Sequence, residues 1–322
     1  MNRFLLPRLL LLSGFLLCFS LVAAHPLLAP VPPPPAIDPA VYQLGRALFH
    51  DPRLSANQQV SCASCHDLSS HGADALPLSV GVDGAQGQIR ALTVYNASLN
   101  PMQFWDGRVR TLEEQVDGPL HDVLEMASSW PEVLSRLAQD RQLVAAFEAT
   151  YAEGMTPQTI RSALADFQRT LVTLNSPFDL WLAGETSAMD AQQQRGYRYF
   201  IDYGCVSCHQ GANLGGNMVA RMGSLHNYME LKGAALNHAD LGRYRLTGRD
   251  DDRYVFRVPG LRSAALQSHF FHDASASSLE EAIDMMAHYQ LGRHLPDEHR
   301  RAIAAFLTAL VGEHPERQVE QP

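Results

Sequence analysis

Two pentapeptides constrain this chain of 322 residues more than any other feature: Cys62-Ala63-Ser64-Cys65-His66 and Cys205-Val206-Ser207-Cys208-His209. Each reads as a c-type haem attachment motif. Two thiols one helical turn apart add across the vinyl groups of one haem, and the adjacent histidine ligates the iron. The fifth cysteine, Cys18, sits in an N-terminal apolar run, so the two pairs use every other cysteine of the chain. A four-cysteine zinc site would not need a histidine behind each pair, and pairing within Cys-x-x-Cys is strained for a disulfide.

Arg3 and Arg8 flank the start of an apolar run, Leu9 to Val22, and Val22-Ala23-Ala24 supplies small residues for cleavage. Residues 1–24 therefore read as an export signal cut near Ala24. The run is short for a ~20-residue membrane span, and Phe15-Leu16-Leu17 lacks the small residue that a lipoprotein signal carries before its cysteine. The expectation is a soluble protein of the periplasm. A formal charge of -9 argues against a nucleic-acid partner, which demands a basic footprint.

The length allows about two domains at ~150 residues each. Gly45-Arg46-Ala47-Leu48-Phe49 resembles Gly196-Tyr197-Arg198-Tyr199-Phe200, each a Gly-x-x-large-Phe segment shortly before its cysteine pair. The expected organisation is a Pro-rich spacer over 25–37, a first haem domain over 38–185, a second over 186–315, and a polar tail over 316–322. Apolar residues at three- and four-residue intervals predict helices over Ala40 to Phe49, Ser129 to Tyr151, Pro157 to Leu174 and Pro296 to Leu310, the last closed by Gly312. Thr111-Leu112-Glu113-Glu114 and Ser278-Leu279-Glu280-Glu281 fit the capping box. Strand-like alternation is scarce. The fold class is mainly α, with two tandem cytochrome-c-like domains, each wrapped around one covalently attached haem.

The second axial position of a c-type haem decides its use: methionine suits electron transfer, an open position permits ligand chemistry. Met285 and Met286, after Ser278, read by pattern either as core packing or as such a ligand. His71 reads as a loop or surface residue, Glu113 and Glu114 as helix-start charges. His226, His238, His288 and His294 have no spacing that selects them as ligands.

From about Asp38 to Val311 the chain resembles the bacterial dihaem cytochrome c peroxidases, relatives of the dihaem enzyme MauG. The resemblance rests on both haem motifs, Gln103-Phe104-Trp105-Asp106-Gly107-Arg108, Leu112-Glu113-Glu114-Gln115, Gly118-Pro119, Glu125-Met126, Gly215-Gly216, Phe270-Phe271-His272 and Ser278 to Gly292. It implies that His66 is the proximal ligand of a peroxidatic first haem. Glu125 and Gln115 would form the peroxide pocket, with Pro119 crowding the same side. Trp105 would lie between the haems as an electron relay. His209 and Met286 would ligate the second, electron-accepting haem, and His272 would lie close to it.

Two departures matter. Gly81-Val82-Asp83 replaces the family's Gly-His-Gly, so Val82 stands where a histidine would cap the first iron. The resemblance then implies a first haem with no distal protein ligand and no need of reductive activation. At the family's calcium site the matching residues are Arg90, Gln267 and His269. This makes calcium doubtful and suggests that the Arg90 guanidinium replaces it by donating to carbonyls. The implied activity is reduction of hydrogen peroxide with electrons from a monohaem cytochrome c or a copper protein, and such chains commonly pair as homodimers. A MauG-like oxidase of partner-protein side chains and a dihaem electron-transfer cytochrome are the alternatives. Met286 opposes the first, since MauG has tyrosine there; Gln115 and Glu125 oppose the second.

Overall fold

The computed structural model describes residues 27–317; the expected export signal and residues 318–322 of the expected tail lie outside the described residues. The chain is mainly helical, as its periodicity predicts. The named strands among the described residues form one antiparallel pair, Val219–Arg221 with Val255–Arg257. No helix among the described residues is long and apolar enough to cross a membrane.

The Gly-x-x-large-Phe repeat turns out to be one helix crossing built twice. Helix Pro39–Phe49 packs on helix Pro157–Thr170, and helix Ala191–Asp202 packs on helix Asp297–Thr308. A Cβ on Gly45 would stand 2.0 Å from the Ala163 carbonyl oxygen, and one on Gly196 would stand 1.8 Å from that of Ala302. Only glycine lets these backbones approach so closely. One turn further on, the rings of Phe49 and Phe167 lie 5.3 Å apart, as do those of Phe200 and Phe306. Each crossing seeds its own apolar core: Leu44, Leu48, Ile160 and Leu164 on one side, Phe178, Tyr197, Ile303 and Leu307 on the other.

Local chemistry adjusts several expected boundaries. Ser129 to Tyr151 is two helices, Trp130–Leu137 and Arg141–Thr150. The Asp140 carboxylate accepts from the amides of Gln142 and Leu143 and starts a new helix there. The Thr111 box forms as predicted with Glu114. Ser278 accepts from the Glu281 amide, but the Glu281 carboxylate turns to the amide and hydroxyl of Ser277. The last helix ends at Thr308 on the Ala309 cap, and Gly312 instead lies against the Thr173–Leu174 backbone, 2.7 Å from the Leu174 oxygen at its would-be Cβ.

Both ends of the described chain are strapped down. The Val31 amide donates to Asp179, whose carboxylate grips the buried Arg262 guanidinium through two 2.7 Å bonds. Glu313 exchanges backbone bonds with Leu174, Glu316 pairs with Arg46, and Arg317 donates to the Ser70 carbonyl and the Ser263 hydroxyl.

Candidate functional site

The two cysteine motifs share one local geometry. Cys62–Cys65 forms a single α-turn and Cys205–Ser207 a 3-10 turn. In both, the histidine amide donates 3.0 Å to the carbonyl of the first cysteine. His66 Nδ1 then lies 3.2 Å from the Gly72 carbonyl, and His209 Nδ1 lies 3.2 Å from that of Leu214. A carbonyl at Nδ1 fixes the tautomer and leaves Nε2 for a metal, the usual second contact of an iron-ligating histidine. Burial pushes both imidazoles towards the neutral, ligating form, His209 down to about 4. No disulfide joins Cys62, Cys65, Cys205 or Cys208. A pair without a disulfide beside a neutral, tautomer-fixed histidine fits a covalently held haem at each motif.

Around the second motif the fit extends to a cavity. Cys205, Cys208 and His209 form one part of its wall, and Met286 from helix Leu279–Leu291 forms another. Met285 does not line that cavity and packs with Phe270 and Ala282. Trp105 also lines it, its indole Nε1 donating 2.8 Å to the Arg90 carbonyl. His272 stacks on Phe256 and meets the Trp105 ring edge-on. Its Nε2 pairs with Asp240 at 2.8 Å, and Lys232 Nζ bridges Asp240 and Asp273. Asp240, His272 and Asp273 are spaced to hold a metal ion, but the Lys232 ammonium already serves as their cation.

Around the first motif the decisive element is helix Leu112–His121 and the loop behind it. Gln115 and Pro119 stand four residues apart and so share a face. The loop folds back, Met126 donating to the Pro119 carbonyl and Glu125 to that of Asp122. This delivers a half-buried Glu125 near Cys65, whose thiol is raised by burial and then by the charges of Asp74 and Glu125. Burial pushes Glu125 itself up to about 7; Asp122 adds to this and Arg108 opposes it. Val82 is buried beside it, its amide donating 2.8 Å to the Glu125 carbonyl. Gly81 is forced by this contact, since a Cβ there would stand 2.1 Å from the Leu124 oxygen. The structure thus brings Glu125, Val82 and the Cys62–His66 turn together, and separately gathers Trp105, His209, His272 and Met286.

Arg90 is buried between these groups. Its guanidinium donates to the carbonyls of Leu76 at 3.0 Å and Asp74 at 3.4 Å, while its amide donates to the His272 carbonyl. Gln267 lines the second cavity, and His269 pairs with the Ser268 hydroxyl. His71 lies in a turn, as one expectation had it, but not at the surface: it is buried at 4% exposure, with Nδ1 accepting from the Ala73 amide. Glu113 and Glu114 do serve the helix start, one paired with Arg169 and the other in the capping box.

Sequence reasoning passed over Arg257, a buried residue of the second cavity wall. The available signal was an arginine inside the apolar run Val255-Phe256-Arg257-Val258.

Residues 39–187 match a protein-family model described as di-haem cytochrome c peroxidase. The chain is 42% identical over 284 residues to the cytochrome c peroxidase Ccp of Escherichia coli, covering 88% of this chain and 60% of that one. It is 39% identical over 291 residues to the cytochrome c551 peroxidase of Nitrosomonas europaea, covering 89% of this chain and 85% of that one. Among solved structures, a MauG-like protein associated with microbial copper homeostasis superposes with a TM-score of 0.77 at 28% identity, over 88% of this chain and 94% of the other.

Proposed function

This chain belongs to the di-haem cytochrome c peroxidase family, and on that footing we propose that it reduces hydrogen peroxide to two waters with two protons and two electrons, the electrons coming from a small periplasmic donor. The observation that carries the proposal is Glu125, a carboxylate with its pKa raised to about 7 beside a haem-attachment cysteine. That is the value a group needs to take and return a proton near neutral pH.

Cys62, Cys65 and His66 would hold the first haem, and Cys205, Cys208, His209 and Met286 would hold the second. When bound, the haems supply one-electron couples and an iron at which peroxide is reduced. The rest is done by the chain. The Glu125 carboxylate takes the proton from one peroxide oxygen and returns it to the other, which leaves as water. The Gln115 amide orients peroxide and product water by hydrogen bonds, and the Pro119 ring narrows the space above them. Trp105, its indole tied to the Arg90 carbonyl, stands as the relay between the two sites.

Val82 supports a first haem with no distal protein ligand, ready in the fully oxidised protein. The electron paramagnetic resonance spectrum of the ferric chain is expected to show a high-spin component; a wholly low-spin spectrum would refute this. Arg90 supports a chain that needs no calcium, because its guanidinium donates to two carbonyls. Metal analysis is expected to find none tightly held, and one calcium per chain would overturn that reading.

The deciding experiment mixes the ferric protein with stoichiometric peroxide in stopped flow, then adds a reduced small cytochrome c. Rapid oxidation followed by fast consumption of the donor supports the peroxidase. Oxidation that ignores the donor moves the reading to a MauG-like oxidase of a partner protein, which the absence of a histidine at position 82 favours.

A further inference from the structure

Three buried arginines line the cavity of the second haem motif: Arg90, Arg257 and Arg262. Two of them are satisfied within the protein. Arg262 is gripped by Asp179, and the Arg90 guanidinium donates to two carbonyls. Arg257 differs. It is 4% exposed, its Nε donates 2.9 Å to the Phe104 carbonyl, and its backbone amide donates 2.6 Å to that of Trp105. Neither terminal amino group bonds any described residue, and no carboxylate pairs with the side chain.

A guanidinium cannot discharge at physiological pH, so a buried one without an anion is costly. The neighbouring carboxylates are already committed, Asp106 to Arg108 and Asp240 to Lys232 and His272. Beyond the one Phe104 carbonyl, no carboxylate among the described residues offsets the desolvation of Arg257, and burial pulls its pKa down to about 10. The missing anion must therefore come from what the cavity holds. A haem carries two propionate carboxylates, and the planar fork of arginine is built for such a group.

We infer that Arg257 is the countercharge for a propionate of the second haem, and that through the carbonyls of Phe104 and Trp105 it holds the Trp105 relay in register with that haem. The inference rests on the two-haem reading of the family. Arg257 is fixed for both tasks, because its backbone lies in the antiparallel pair with Val219 opposite. It acts as a positioning residue. Its carbonyl contacts set where the Trp105 main chain runs, and the Arg90 carbonyl sets the indole.

The test uses the full chain with both haems attached, as Arg257→Gln and Arg257→Lys. Three readouts are taken: haem content by mass, the reduction potential of the second haem, and its propionate bending band in resonance Raman. Removing a buried cation disfavours the reduced state. Arg257→Gln is expected to lower the reduced-to-oxidised ratio at a fixed ambient potential about tenfold, 59 mV for a one-electron couple. Its propionate band should shift. Arg257→Lys keeps the charge but not the fork, so it should restore the potential while leaving the band shifted. Two attached haems with a parental band in both variants would overturn the inference and leave the family reading intact. A parental chain carrying no haem would overturn both. If Arg257→Gln does not accumulate, the band of Arg257→Lys decides alone.

Discussion

A carboxylate taken partly out of water holds its proton to a higher pH, and in the proposed reaction Glu125 depends on this. Burial raises it to about 7, with Asp122 reinforcing and Arg108 opposing. Below that value it is protonated and cannot accept from peroxide. The rate of reaction with peroxide should therefore fall on an acid limb centred near pH 7. Glu125→Gln should lose the limb and slow the reaction by about 10²–10⁴-fold. The same shift has a stability consequence of fixed sign. Because the folded pKa lies above the unfolded one, near 4.3, the fold loses stability as pH rises between the two values. Glu125→Gln should match its parent's stability at pH 4 and exceed it at pH 8, by at most about 4 kcal/mol. A variant that melts lower at pH 8 would show that the carboxylate is stabilising there. Glu125 itself was legible only through resemblance, because no local pattern distinguishes it from the surface acids around it.

At the scale of the element, the crossing helices dominate. Their glycines are legible in the sequence as a repeat, but the reason, a carbonyl 2.0 Å or less from each would-be Cβ, appears only when the partner helix is in place. Gly45→Ala and Gly196→Ala should each force the helices apart and cost at least about 1–3 kcal/mol, read as a lower thermal midpoint. The equivalence of the crossings predicts similar losses at both positions. Asp140→Ala, at a cap that the apolar pattern did not reveal, should cost about 1 kcal/mol. The pattern missed it because Leu143 and Val144 continue the apolar rhythm of Leu134 and Leu137 across the break.

For the molecule as a whole, the straps at its ends set how the parts are held. Asp179 joins the spacer amide of Val31 to Arg262, and with the cation 1% exposed, removing its partner leaves a buried charge alone. Asp179→Ala should destabilise by about 3–5 kcal/mol. Glu316→Gln breaks the pair with Arg46, whose side chain is 43% exposed, and should cost less than about 1 kcal/mol. A denaturant titration of both variants tests that contrast, and equal losses would contradict it.

The two Cys-x-x-Cys-His motifs and the twofold helical unit could be read from the sequence alone. Each depends on spacing within a turn or two of helix, where covalent reach and side-chain period dictate the outcome whatever surrounds them. The mainly α class follows from the same period. Tertiary structure alone decided which residues without a local signature meet those motifs. It set Met286 rather than Met285 in the cavity wall, and it bound Arg257 to the Phe104 carbonyl across 153 positions of chain. It also buried His71 within its turn as a hydrogen-bond acceptor, where a surface place was open to it by sequence. Burial and charge pairing are properties of neighbours in space, and those neighbours come from helix crossings and loop returns that no short window of sequence contains.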